Sequence, residues 1–180
     1  AMIKVYVINK EGTIIAEAAG TKEVNLPVSR TYEEGDRVVF FADETPAFYV
    51  FQADDALGEA LVYVTGEVSY EIPFGEKKVC YSPKIFSGES HLITARKARE
   101  WEYESYRNLA VNVMDQHGDT NCYPHATANV ETRGESVFAA RNAIDGVTSN
   151  HSHGYWPYGS WGINRNPEAT MRVDFGREVT

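Results

Sequence analysis

No apolar run in the chain approaches the about 20 consecutive residues that a membrane helix needs, which excludes a spanning helix. Basic residues are scarce. Against 26 Asp and Glu stand only 17 Lys and Arg, for a formal net charge of -9, and the densest basic stretch is Arg96-Lys97-Ala98-Arg99. A phosphate backbone would be repelled overall, so nucleic acid is not expected as a partner. Cys80 and Cys122 are the only cysteines, too few for a disulfide framework. They could pair only with Cα atoms within about 7 Å, and two free thiols are expected. The chain also lacks Gly-x-Ser-x-Gly, a Gly-rich phosphate loop and His-Glu-x-x-His, so hydrolase, nucleotide-binding and metallopeptidase readings find no support. Acidic runs such as Glu33-Glu34, Asp54-Asp55 and Glu100-x-Glu102-x-Glu104 read as turns and solvated faces, and no enzyme is expected.

What is present is globular composition, 43% hydrophobic and 24% charged over 180 residues, enough for two unequal units. Short β-branched and aromatic runs dominate the first half. Ile3–Ile8, 13–16, 37–41, 47–52, 59–64, 68–72 and 91–95 read as strands, separated by turns such as Glu11-Gly12, Glu34-Gly35-Asp36, Thr65-Gly66 and Phe74-Gly75. This spacing predicts an antiparallel β-sandwich or jelly roll over residues 2–97. Residues 98–107 fit both a strand alternation and a helical stripe, and are taken as a short helical linker. Residues 108–180 form a second β unit. In it Met171, Val173 and Phe175 share one face of a strand and Thr170, Arg172 and Asp174 the other.

The richest segment is Asn150-His151-Ser152-His153-Gly154-Tyr155-Trp156-Pro157-Tyr158-Gly159-Ser160-Trp161. Gly and Pro favour an exposed, fixed loop. Sugars present apolar C–H faces and hydroxyls, so their sites combine a stacking aromatic with a few hydrogen-bonding groups. His151, His153, Tyr155, Trp156, Tyr158, Trp161 and Arg165 are therefore the candidate ligand-binding residues. Trp156 and Trp161 fit a core role as well. Zinc at His151-x-His153 lacks an evident third ligand.

Three elements in order, Ala143-Ile144-Asp145-Gly146, the aromatic loop ending at Trp161-Gly162, and Met171-Arg172-Val173-Asp174-Phe175-Gly176, resemble the discoidin or coagulation factor 5/8 type C domain. That family includes the family 32 carbohydrate-binding modules. The resemblance covers roughly residues 106–180, with Asn108-Leu109-Ala110 and Ala126-Thr127-Ala128 similar to its entry segment. It implies an all-β, galactose-binding-like jelly-roll sandwich of which this chain holds the front part, so a dimer or completion by another chain is expected. It also implies a structural calcium, with the carboxylate of Asp145, carbonyls of Asn142 and Val147, and Thr148 or Asn150 as ligands. A plain turn capped by Asp145 is the alternative.

The function expected is non-catalytic recognition of glycans through the aromatic loop, accessory to a glycan-degrading system, on a secreted or cell-surface protein. The alternative is a pair of structural or protein-interaction β-domains of a larger secreted enzyme.

Overall fold

The computed structural model describes residues 1–105, 107–148, 156–157 and 159–179. The strands are β1 Ile3–Ile8, β2 Ile14–Gly20, β3 Glu23–Ser29, β4 Arg37–Ala42, β5 Ala47–Gln52, β6 Ala60–Val64, β7 Val68–Glu71, β8 Ser90–Lys97, β9 Cys122–Tyr123, β10 His125–Ala128 and β11 Met171–Asp174. One short helix, α1 Glu100–Glu104, and four 3-10 turns complete the regular structure of the described residues. The protein is all-β, and every strand pairing is antiparallel.

A four-stranded sheet, β2-β1-β4-β7, faces a five-stranded sheet, β3-β8-β5-β6-β9. Among the first eight strands only the β1–β2 and β5–β6 hairpins stay within one sheet. From β2 to β5 and again from β6 to β8, successive strands alternate between the two sheets, which is jelly-roll connectivity. The first hairpin closes where Gly12 takes φ +82° and Asn9 Oδ1 accepts the N–H groups of Glu11 and Thr13. That arrangement is an Asx turn.

Period-2 alternation fills the space between the sheets. Val5 and Val7 of β1 and Val38 and Phe40 of β4 meet Phe51 of β5, Val62 and Val64 of β6 and Ile93 of β8. Phe40 and Phe51 stack at 4.3 Å between ring centres, one ring from each sheet. The core also takes in Met114, Cys122 and Val137, and β9 extends the five-stranded sheet through pairings Tyr63↔Tyr123 and Val64↔Cys122. Residues beyond 108 thus complete the same core that residues 2–97 begin.

β3 is not among the strands expected from the sequence. Its inward residues Val24, Leu26 and Val28 are buried and its outward residues exposed, but Pro27 interrupts the apolar reading. The strand tolerates proline because it lies at a sheet edge and pairs only with β8, so no ladder bond is missed on the open side.

Glu102 and Tyr103 tie helix α1 to the sandwich. Both Glu102 carboxylate oxygens accept from Arg96, at 2.6 and 2.8 Å, and Oε1 also accepts the Arg99 N–H that opens the helix. The Arg96 guanidinium holds the Glu102 carboxyl down at about 2. A bidentate pair of this kind fixes orientation as well as position. Tyr103, one residue on, stacks on Phe48 of β5 at 4.6 Å and 8°.

Beyond β9 the chain makes a small second layer. β10 and β11 pair from His125↔Asp174 to Ala128↔Met171, and Ala126, Ala140 and Ile144 form a core with Trp161, Met171 and Val173 packed against it.

Phe40 is 1% exposed and stacked across the sandwich. Truncation to alanine there should cost about 3–5 kcal/mol, from lost transfer energy and the cavity left behind. Denaturant unfolding of Phe40→Ala should show a lower midpoint, shifted by that free energy divided by an unchanged slope.

Candidate functional site

Between the open edge of β7 and the chain from 114 to 141 lies a cavity of about 440 Å³, within the range of small-molecule sites. The segment forming its far wall runs through 3-10 turns at Thr132–Gly134, Ser136–Phe138 and Ala140–Ala143. Gln116 fastens that wall to the sandwich by copying a strand. Its amide Oε1 accepts the Glu71 N–H and its Nε2 donates to the Glu71 carbonyl, at 3.0 and 2.7 Å. Glu76 adds a second tie, accepting from the N–H of Ser136 through its carboxylate and from the Ser136 hydroxyl through its carbonyl.

At the centre sits Arg141, 6% exposed. Its Nε donates to the Asp115 carbonyl at 3.1 Å, Nη2 to the Val113 carbonyl at 3.2 Å, and Nη1 to Asn142 Oδ1 at 3.0 Å and Asp145 Oδ2 at 3.2 Å. The guanidinium also lies 4.7 Å from the centre of the Tyr81 ring. A buried cation is tolerated only when its donors are matched in this way. Arg141 therefore joins the 112–115 stretch, the 3-10 turns and the Asp145 turn into one unit.

Beside it is a buried histidine–carboxylate pair. His125 Nδ1 lies 2.6 Å from Asp115 Oδ1, and Asp115 Oδ2 accepts the Ala126 N–H. The hydrogen bond to Asp115 raises the His125 imidazole above its ordinary 6.5, against the opposing effect of burial. On the rim, His117 Nε2 meets Glu131 Oε1 at 2.9 Å, and Arg37 and Lys77 flank Glu71 at 3.7 and 3.0 Å. Cys80 and Cys122 line the cavity as free thiols. Burial pushes both up from their ordinary range, which keeps them protonated and poor nucleophiles.

The residues expected to bind ligand or metal fall around this unit unevenly. His151, His153, Tyr155, Tyr158 and Asn150 lie outside the described residues. Trp161 is an anchor. Its indole N–H donates to the Val130 carbonyl at 2.7 Å and its ring packs on Ala126, Ala140 and Ile144. Around it Ser160 and Gly162 donate to Val137 and Phe138 carbonyls, and Gly162 accepts from Thr132. A Cβ at Gly162 would come within 2.8 Å of the Phe138 Cβ, so this approach requires glycine. Trp156 is half-buried and Arg165 is exposed, in left-handed backbone at φ +57°.

The calcium set finds its acidic ligand engaged. Asp145 Oδ2 is held by Arg141 and Oδ1 by the Val147 N–H, while the Asn142 amide donates to the Ser136 and Ser160 carbonyls. Burial pushes the Asp145 carboxyl up, with Arg141 opposing. Val147 and Thr148 add no further carboxylate, and a dication here would face the buried guanidinium, so the described residues do not fit calcium as they stand. Among the described residues no group of three or more His, Cys, Asp or Glu is placed to hold a metal ion. Asp115, Glu131 and Arg141 carry no signal in the sequence, where none belongs to a spaced motif, and His125 stands too far along the chain from His151-x-His153 to complete a zinc set.

Comparison with known protein families, with curated proteins and with solved structures finds no match to this chain.

Arg141→Ala should cost about 3–5 kcal/mol, since it leaves the Asp145 carboxylate and two carbonyls buried without their donor. Thermal unfolding would show the loss. The His125 pair gives a pH-dependent term. Because its folded-state pKa lies above the ordinary value, its stabilisation is complete below about pH 6.5 and is lost as pH rises through the raised value. The stability difference between wild type and His125→Gln should shrink steadily as pH rises from 6 toward 9, and Asp115→Asn should flatten that dependence.

Proposed function

We infer that the chain binds glycans without turning them over, through the aromatic segment that ends at Trp161. The observation that carries this reading is the division of labour between the two tryptophans. Trp161 is fixed by its indole hydrogen bond and by the backbone bonds of Ser160 and Gly162, whereas Trp156 makes no such bond among the described residues and is only half-buried. An aromatic ring five residues from so rigid an anchor has less chain to order when ligand arrives, which lowers the ordering cost of binding. The resemblance of residues 106–180 to discoidin-type modules supports the same reading, as does a surface whose acidic balance disfavours phosphate polymers but not neutral sugars. By that resemblance the protein works outside the cell, beside a glycan-degrading system, where a second binding point raises local concentration on a polymer.

A second reading, docking onto another protein domain, is favoured by Trp101, which stands 65% exposed on α1. The two readings separate in one experiment. Titration of galactose and N-acetylgalactosamine, followed by tryptophan fluorescence, should give a saturable change that disappears in Trp156→Ala and persists in Trp101→Ala. A folded protein that responds to none of a panel of neutral and acidic sugars would move the assignment to the docking reading.

A further inference from the structure

The outer face of the five-stranded sheet carries an aromatic row that the core does not explain. In β5 the residues flanking Phe48 and in β6 those flanking Tyr63 point inward, and the register sets Phe48 opposite Tyr63 and Tyr63 opposite Tyr123 on the solvent side. Phe48 and Tyr63 lie 5.1 Å apart, and Tyr103 extends the row by stacking on Phe48. None of these rings is fully buried.

Two cations are delivered onto this row. Gly176, at φ +69°, lies so close against Tyr123 that an added Cβ would sit 2.5 Å from the ring, and the next residue, Arg177, is thereby placed over Phe48 at 4.9 Å. Arg107 reaches the same ring at 5.9 Å. Elsewhere Arg30, Arg37, Arg96, Arg133, Arg141 and Arg172 each lie within 4 Å of a carboxylate. Among the described residues Arg99, Arg107, Arg165 and Arg177 have no such partner, and of these Arg107 and Arg177 share one ring. Arg177 makes one bond to the Glu178 carbonyl, and the Nε of Arg107 is buried with no acceptor. Burial and the neighbouring Arg177 charge both work against the Arg107 cation. Two like charges sharing one ring, one with an orphaned donor, form an arrangement that an anion would relieve.

We propose that Arg107 and Arg177, set over the Phe48 ring beside Tyr63 and Tyr103, bind the carboxylate of an acidic sugar residue. The planar guanidinium fork matches a carboxylate in a way a point charge does not, and the rings offer a stacking surface for the C–H face of a pyranose. A single acidic group suits two arginines on a protein of net charge -9, where a dense polyanion would be repelled. The inference rests on the glycan-binding reading but uses a surface made of other residues than the aromatic loop.

Calorimetric titration and thermal unfolding with galacturonate test it, with galactose as the neutral counterpart and acetate as the anion alone. Galacturonate should bind saturably, more tightly than either, and raise the Tm of the wild type. Arg177→Gln should weaken it by about tenfold or more, and the Arg107→Gln/Arg177→Gln double variant should abolish it. Ligand-free, these variants should unfold at the wild-type temperature or above, because like-charge repulsion is removed. Galacturonate binding no tighter than galactose would overturn the proposal, and a galactose response lost in Trp156→Ala would then leave the loop reading intact. Acetate binding as tightly would reduce the site to a simple anion site and also overturn it. Unchanged galacturonate affinity in Arg177→Gln, with a lowered Tm, would assign the pair a structural role instead.

Discussion

A guanidinium sealed inside a protein must find an acceptor for nearly every N–H it carries, and the second half of this chain is arranged around that demand. Arg141 draws carbonyls from Val113 and Asp115, an amide oxygen from Asn142 and a carboxylate from Asp145. These acceptors come from stretches about 28 residues apart in sequence, with no helix or long strand to order them. Taking one acceptor away leaves a charge buried and undersatisfied, so the segments stay together or come apart together. The far wall of the cavity is held by this one side chain together with the Gln116 and Glu76 ties to the sandwich.

The sandwich supplies what Arg141 cannot, a flat and rigid face. Because strand side chains alternate, the same two strands that send Val62, Val64 and Phe51 into the core must send Tyr63 and Phe48 out. Aromatic residues on an outer face cost solubility unless something covers them. Here the cover is partial. Gly176 closes the Tyr123 end and Tyr103 lies over Phe48, while the Arg96–Glu102 pair keeps α1 where Tyr103 can reach. A row that is walled at one end, covered in part over Phe48 and half-exposed at Tyr63 is shaped by contacts that the hydrophobic core does not require.

The strands built from unbroken β-branched and aromatic runs were legible from the sequence, because their alternation is set by the same burial that holds the sheets together. β3 was not, since Pro27 counts against a strand until its edge position is known. The role of Trp161 was half legible: its place before Gly162 pointed to a core residue, but only the Val130 carbonyl shows why it holds still. Arg141 was hidden more thoroughly. An arginine between alanine and asparagine reads as surface, and the one hint was the apolar company of Ala139, Ala140, Ala143 and Ile144. Register hid the aromatic row, for Phe48, Tyr63, Tyr103 and Tyr123 share a face only once three strands and a helix are aligned.

The charge balance also changes meaning between sequence and structure. A net charge of -9 argues against anionic partners when it is spread evenly over a sphere. At physiological ionic strength, however, exposed charges are screened beyond about 8 Å, so a ligand at contact distance responds to its immediate neighbours rather than to the total. Around Phe48 those neighbours are two guanidiniums without a carboxylate partner among the described residues. The excess acid therefore repels extended polyanions approaching from a distance, while the local field over the aromatic row favours one small anionic group. Selection by class comes from the first effect, and binding of a single acidic unit would come from the second.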